Sequence, residues 1–282
     1  MSPEYPILPG SRDIEQITEG AQVGRFRSVL FDFDGTISLI REGWREIMIP
    51  MMVDILADLK TRESREELTH VVSSYVDQLT GKQTIYQMIQ LCDEIESRGG
   101  SPEDPLAYKQ RFNDLLMGRI ESRVQSLKAG AVSPTDLMLP NTIDLLDNLK
   151  SRGLTLYLAS GTDVVYVEAE ARLLGLSPYF EDRIFGALDR HEDFSKEMVI
   201  QDILKTQGIE GRSLLGFGDG YVEIENIKAV GGIAVGVASD ETNREGLNAW
   251  KRDRLIGVGA DFIIPDYREQ DLLVSFLFGE SL

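Results

Sequence analysis

Hydrophobic and polar positions follow two different rhythms along this chain. From about Leu39 to Leu139 the repeat is helical. Leu68, Val71, Val72, Tyr75, Val76 and Leu79 recur at i, i+3, i+4 and i+7. Phe112, Leu116, Ile120, Val124 and Leu127 form a second stripe. Ser64 with Glu67, and Thr84 with Gln87, have the spacing of capping boxes. Ser101-Pro102 reads as an N-cap followed by proline at the first helical position. A helix starting near Gly43-Trp44 should be kinked or broken by Pro50, whose ring removes a hydrogen bond and clashes with the preceding turn. About 100 residues with no clear strand predict a helical bundle.

Outside that block the pattern turns to short apolar runs. Ser28-Val29-Leu30-Phe31 reads as a buried strand. After Pro140, helices and strands alternate: helix Asn141 to Lys150, closed by Gly153; strand Leu154 to Ala159; helix Asp163 to Leu174; strand Arg183 to Gly186; helix Ser195 to Thr206; strand Ser213 to Phe217; helix Tyr221 to Val230; strand Ile233 to Val237; and a last strand, Phe262 to Ile264. Such alternation implies a parallel sheet with helices on both faces. The fold class is therefore α/β, a doubly wound parallel sheet carrying an inserted all-helical domain. Pro3, Pro6, Pro9 and Gly10 mark an extended N-terminal arm over residues 1–24. The expected division is this arm, an α/β core of residues 25–39 and 139–282, and a helical insertion of residues 40–138.

Charge and composition narrow the function. The formal net charge of −18 leaves no electrostatic footprint for nucleic acid or anionic lipid. No stretch of 18 apolar residues is present, and Met1-Ser2-Pro3-Glu4-Tyr5 lacks the basic and apolar regions of a signal peptide. The one cysteine, Cys92, lies among Met88, Ile89, Leu91 and Ile95 at helical spacing and reads as core. These features predict a soluble cytoplasmic protein.

Candidate chemistry sits where the first strand ends. In Phe31-Asp32-Phe33-Asp34-Gly35-Thr36, strand alternation puts Asp32 and Asp34 on one side. Two carboxylates this close need compensation, and a hard divalent cation such as Mg²⁺ supplies it. A solvated acidic turn is the other reading of these two residues. In a doubly wound sheet, sites form beyond the carboxyl ends of the strands. Ser160 and Asp219 fall at such ends, and Lys196 at a strand-to-helix junction.

The run Asp32-Phe33-Asp34-Gly35-Thr36 resembles the first motif of the haloacid dehalogenase superfamily. Leu156 to Thr162, a strand ending in Ser160, resembles the second. Lys196 resembles the lone lysine of the third. Gly218-Asp219-Gly220-Tyr221-Val222-Glu223 is similar to the fourth, Gly-Asp-x-x-x-Asp, with Glu223 where many members carry Asp. The four occur in order over about 190 residues. The resemblance implies that Asp32 is a nucleophile forming an aspartyl phosphate and that Asp34 is the acid and base. It implies that Mg²⁺ is held by Asp32, the backbone carbonyl of Asp34, Asp219 and, directly or through water, Glu223. Ser160, Gly161 and Lys196 would hold the phosphate, and Thr36 would orient the turn. A helical insertion between the first two motifs implies a mobile cap, as in phosphoglycolate phosphatases and β-phosphoglucomutases. Arg41, Lys82 and His191 are candidate substrate contacts or plain surface. Asp163 is an N-cap or a substrate contact, and the cap is the better reading.

The expected function is thus a Mg²⁺-dependent phosphatase acting on a small phosphorylated metabolite. A phosphomutase of the β-phosphoglucomutase type and a non-catalytic ligand-binding module are the alternatives.

Overall fold

A computed structural model describes residues 5–21, 24–188 and 190–280. Pro3, part of the predicted arm, and residues 1–4 and 22–23 lie outside the described residues. The strands are β1 (Glu15–Gln16), β2 (Ser28–Phe31), β3 (Thr155–Asp163), β4 (Ile184–Ala187), β5 (Leu214–Gly218), β6 (Ile233–Val237) and β7 (Phe262–Ile264). They form one sheet in the order β1-β7-β6-β5-β2-β3-β4. All neighbours run parallel except β1, which pairs antiparallel with β7. The N-terminal arm thus supplies an edge strand. Its two residues are too few to give a periodic signal.

Each strand alternates between two apolar layers. Val29 and Phe31 point into one, Leu30 into the other. Helices α5 (Thr142–Ser151), α6 (Val164–Leu173), the single turn α7 (Ser177–Phe180) and α11 (Gln270–Leu277) cover the first face. Helices α8 (Lys196–Gln207), α9 (Tyr221–Ala229) and α10 (Ala249–Gly257) cover the second. Phe31 and Phe217 stack with ring centroids 4.9 Å apart across β2 and β5.

Between β2 and α5 stand four helices, α1 (Arg45–Ala57), α2 (Arg65–Leu79), α3 (Thr84–Ser97) and α4 (Pro105–Lys128). Their buried stripes run on into the first apolar layer through Ile37, Leu39 and Ile40. Cys92 is buried among them, as its neighbours predict. The chain enters and leaves this cap by two segments lying side by side. Leu39 N donates to Leu137 O (2.9 Å) and Leu139 N to Ile37 O (3.0 Å).

Several local expectations need correction. Ser64 and Glu67 do form a capping box. Thr84 does not: the N-cap is Gln83, and its side chain is drawn away to the carbonyls of His191 (3.0 Å) and Phe194 (2.7 Å). The Ser101-Pro102 start is displaced to Asp104-Pro105, where Asp104 accepts from Leu106 N (2.8 Å). Pro50 sits inside an unbroken α1. It is exposed, so water can take the freed carbonyl, while Met48, Met52 and Leu56 hold the opposite face in the core. Strand β3 runs four residues past Ala159, to Asp163. Helices α10 and α11 carry no mark in the sequence reading.

Candidate active site

Register decides what meets at the rim. Phe31 pairs with both Leu158 and Phe217, so Asp32, Ser160 and Asp219 follow within two residues of one level. Asp32 N donates to Phe217 O (2.9 Å), which fixes the end of β2. Gly35 then turns the chain with φ +76°, and a Cβ there would collide with the Asp219 carboxylate. Tyr267 hydroxyl donates to Thr36 O (2.8 Å) and Ser239 hydroxyl to Gly35 O (3.1 Å), so the turn is held from below.

Two lysines bind the carboxylates, Lys196 buried and Lys251 half-buried. Lys196, the first residue of α8, lies 2.7 Å from Asp32 Oδ1 and 2.8 Å from Glu223 Oε2. Ser195 caps that helix by accepting from Met198 N (3.1 Å). Glu223 also accepts from Gly220 N (2.6 Å), the capping arrangement at the start of α9. Lys251, on α10, lies 2.7 Å from Asp219 Oδ2 and 2.6 Å from Glu241 Oε1. Thr36 Oγ1 stands 3.5 Å from Asp219 Oδ1. Burial pushes the Asp32 carboxyl well above its ordinary range, with Glu223 and Asp219 adding and Lys196 opposing. Burial works against the Lys196 and Lys251 ammoniums, but their paired carboxylates outweigh it and hold both above the ordinary lysine value.

Asp34 is held differently. Its Oδ2 accepts from Ser160 Oγ (3.1 Å) and Thr162 Oγ1 (2.9 Å). Its Oδ1 is buried without a hydrogen-bond partner, with Arg41 Nε 3.9 Å away. Five carboxylates (Asp32, Asp34, Asp219, Glu223 and Glu241) therefore face two ammoniums at this rim. Oxygens of Asp32, Asp219 and Glu223 lie within 4.8 Å of one another. A surplus of anionic oxygen on three clustered carboxylates fits a hard divalent cation, and Asp32, Asp219 and Glu223 would hold it.

The cap roofs this floor and leaves a partly open cavity of about 100 Å³. Its apolar wall is Trp44, Met48, Phe112 and Leu116; Thr84, Gln87 and Lys82 add polar groups. The loop between α2 and α3 rides directly on the core. A Cβ on Gly161 would meet Lys82 O at 2.7 Å, and one on Gly220 would meet Gly81 Cα at 3.0 Å. Glycine at both core positions is what allows this approach.

The model of one family, haloacid dehalogenase-like hydrolase, matches residues 26–231. The chain belongs to that family. Solved structures of similar fold include a predicted phosphoglycolate phosphatase from Haemophilus somnus 129pt, 16% identical, covering 88% of this chain and 97% of that one, with a TM-score of 0.58. A haloacid dehalogenase family hydrolase from Deinococcus radiodurans R1, with bound phosphate and sodium, is 15% identical over 90% and 97% of the two chains, with a TM-score of 0.52. A β-phosphoglucomutase from Clostridium difficile is 13% identical over 82% and 98%, with a TM-score of 0.51. No curated protein matches the chain.

In this hydrolase the cavity brings together Asp32, Asp34, Ser160, Gly161, Lys196, Asp219, Arg41 and Lys82. Thr36 and Glu223 stand behind them, on Asp219 and Lys196. Arg41 is buried and engaged in a two-pronged pair with Glu170 (2.7 and 3.0 Å), while Lys82 is exposed with its ammonium over the Tyr86 ring. His191 is not in the cavity wall; its ring packs edge-on against Tyr86. Asp163 makes no side-chain cap, contrary to expectation. It is instead the core's anchor for α4, paired with Lys109 and 3.4 Å from Asn113 Nδ2. Sequence reasoning missed Lys251, Glu241, Glu170 and Thr162. Only Thr162, inside the second motif, had a local signal. No helix is long and apolar enough to cross a membrane among the described residues.

Proposed function

We propose that this hydrolase is a Mg²⁺-dependent phosphatase of small phosphorylated metabolites, working through an aspartyl phosphate on Asp32. The observation that carries the reading is the placement of Asp32 against Lys196 with Asp34 beside it in one cavity under the cap. An acid at the Asp34 position separates phosphoryl transfer from dehalogenation, as the family resemblance implies. The proposed domain limits are 25–39 and 139–282 for the catalytic core and 40–138 for the cap. The adjoining segments at Ile37–Leu39 and Leu137–Leu139 support a hinge there.

Lys196 holds one Asp32 oxygen and leaves the carboxylate oriented for attack on phosphorus. A bond forms from Asp32 oxygen to phosphorus as the bond to the leaving oxygen breaks. Asp34 Oδ1, which is in no hydrogen bond, gives a proton to that leaving oxygen. It then takes a proton from the water that attacks the phosphoenzyme, which releases phosphate and restores Asp32. Ser160 and Thr162 keep Asp34 in place through its other oxygen. The Gly161 N–H and Lys196 bind the non-transferring oxygens; the Ser160 hydroxyl, expected to join them, is already given to Asp34. Bound Mg²⁺ supplies positive charge against the developing charge on the phosphoryl group.

The cavity's size and its four apolar cap residues favour a short organic phosphate. A screen of phosphorylated metabolites, followed by release of inorganic phosphate, tests the reading. EDTA should abolish turnover, Mg²⁺ restore it and Ca²⁺ restore it poorly. Full turnover in EDTA would overturn the metal-dependent reading.

A further inference from the structure

Lys251 comes from α10, outside all four motifs, yet its ammonium reaches the same acidic rim as Lys196. Its side chain is 12% exposed and fully engaged: Asp219 Oδ2 at 2.7 Å, Glu241 Oε1 at 2.6 Å and Ser239 Oγ at 3.4 Å. These are the three acceptors an ammonium can satisfy. Lys251 is therefore a fixed part of the rim, and it occupies one oxygen of a carboxylate that stands among the candidate metal ligands. Asp219 Oδ1, on the Thr36 side, is left for a cation.

That division matters for which cation can bind. Mg²⁺ takes six ligands in a near-ideal octahedron, and a carboxylate serves it through one oxygen. Ca²⁺ takes six to eight at longer distances and commonly uses both oxygens of a carboxylate. A two-oxygen grip on Asp219 would bring the cation onto Oδ2, against the Lys251 ammonium already there. Like charges at that distance in a buried site repel strongly. Glu241 and Ser239 hold the ammonium in place beside Asp219.

We propose that Lys251 is a positioning residue that restricts Asp219 to one-oxygen coordination and so selects Mg²⁺ over Ca²⁺. The inference rests on the metal-dependent reading above. It is also separable from it, because Lys251 touches none of the atoms that react.

The test measures the dissociation constants of Mg²⁺ and Ca²⁺, each added alone to the full-length protein, by titration calorimetry. The wild type should bind Mg²⁺. In Lys251→Met, the ratio of Ca²⁺ to Mg²⁺ affinity should rise at least tenfold over the wild type, whatever happens to either affinity alone. Lys251→Arg keeps a cation on Asp219 and should hold the wild-type ratio. Should Lys251→Met fail to fold, Glu241→Gln loosens the ammonium's anchor and should move the ratio the same way by a smaller factor. An unchanged ratio in a folded Lys251→Met or Glu241→Gln protein would overturn the role of Lys251 while leaving the metal-dependent reading standing. A wild type that binds neither ion would overturn that reading itself.

Discussion

Asp32 and Phe112 face one cavity from opposite sides, and different forces hold them there. The floor is charge against charge. Asp32, Glu223 and Lys196 are each almost wholly buried, and each is fixed by a hydrogen-bonded partner. The roof is apolar contact. Met48, Phe112 and Leu116 reach the cavity because helical periodicity puts them on the inner face of α1 and α4. Removing one partner of a buried ion pair leaves an uncompensated charge and costs about 3–5 kcal/mol. Swapping one apolar side chain for another of similar volume costs less than about 1.5 kcal/mol. Chemistry on the floor is therefore hard to change, whereas substrate choice at the roof can be retuned by ordinary repacking.

The hardest test of this contrast is Asp32→Asn. The amide is nearly isosteric but cannot attack phosphorus. Turnover should fall by about 10⁴-fold or more, while the fold survives. Lys196 keeps Glu223 at 2.8 Å, so no charge is left uncompensated, and the substitution removes a negative charge from a rim where carboxylates outnumber lysines. Thermal midpoints in EDTA should therefore stay equal or rise. Wild-type rates in the variant would end the covalent mechanism.

Asp34→Asn should cost less and in a different step. General acid–base groups contribute roughly 10²- to 10⁴-fold. p-Nitrophenol leaves readily without a proton, so the first step on its phosphate should survive in part. Breakdown of the phosphoenzyme needs a base for water and should slow more. Rapid mixing with that substrate should show a burst, and phosphorylated Asp32 should be recovered by acid quench. No burst with normal steady-state rates would remove the acid–base role from Asp34.

The same contrast explains what was legible in the sequence. Floor residues sit at strand ends, where apolar runs stop and polar motifs begin, so Asp32, Ser160 and Asp219 were visible as a group. Strands β6 and β7 coincide with their expected limits because their residues are buried on both faces and read as continuous apolar runs. Lys251 and Glu241 were not visible. They reach the rim from 22 to 32 residues beyond Asp219 in sequence, and α10 has only Leu255 buried, so no stripe announced the helix. Gln83 shows another limit. Thr84 and Gln87 had the right spacing for a capping box, but tertiary carbonyls from His191 and Phe194 drew the Gln83 side chain and set where α3 begins. A local rule loses when a distant acceptor fixes the preceding residue.

Arg41 tests whether a residue on the cavity wall belongs to the floor or the roof. It lines the cavity from the segment entering the cap, yet it is 5% exposed and paired with Glu170, which is 4% exposed. Its guanidinium also lies 5.2 Å from the centre of the Tyr166 ring. Burial pushes the Glu170 carboxyl upward, with Arg41 opposing, so the acid depends on its partner to stay charged. Arg41→Ala should destabilise the protein by about 3–5 kcal/mol in urea unfolding. Replacing both Arg41 and Glu170 by Met should recover most of that loss. If Arg41→Ala leaves stability unchanged and only raises the Michaelis constant, Arg41 is a substrate contact and not part of the scaffold.

Lys82 should give the smallest effect and the most selective one. It shares the cavity wall with Arg41, but its side chain is exposed, and its backbone, not its ammonium, is what lies against Gly161. Lys82→Ala keeps that backbone and should change stability by no more than about 0.5 kcal/mol. A solvent-exposed cation meeting a substrate's non-reacting end contributes up to about 1 kcal/mol, or roughly fivefold in affinity. The Michaelis constant for the natural substrate should therefore rise several-fold with little change in the turnover number. An aryl phosphate, too short of polar groups to use the ammonium, should be processed as before. Equal loss on both substrates would mean that the substitution disturbs the loop's seat on Gly161 and Gly220. No loss on either would make Lys82 a solvated surface lysine and leave Gln87 and Thr84 as the roof's polar contacts.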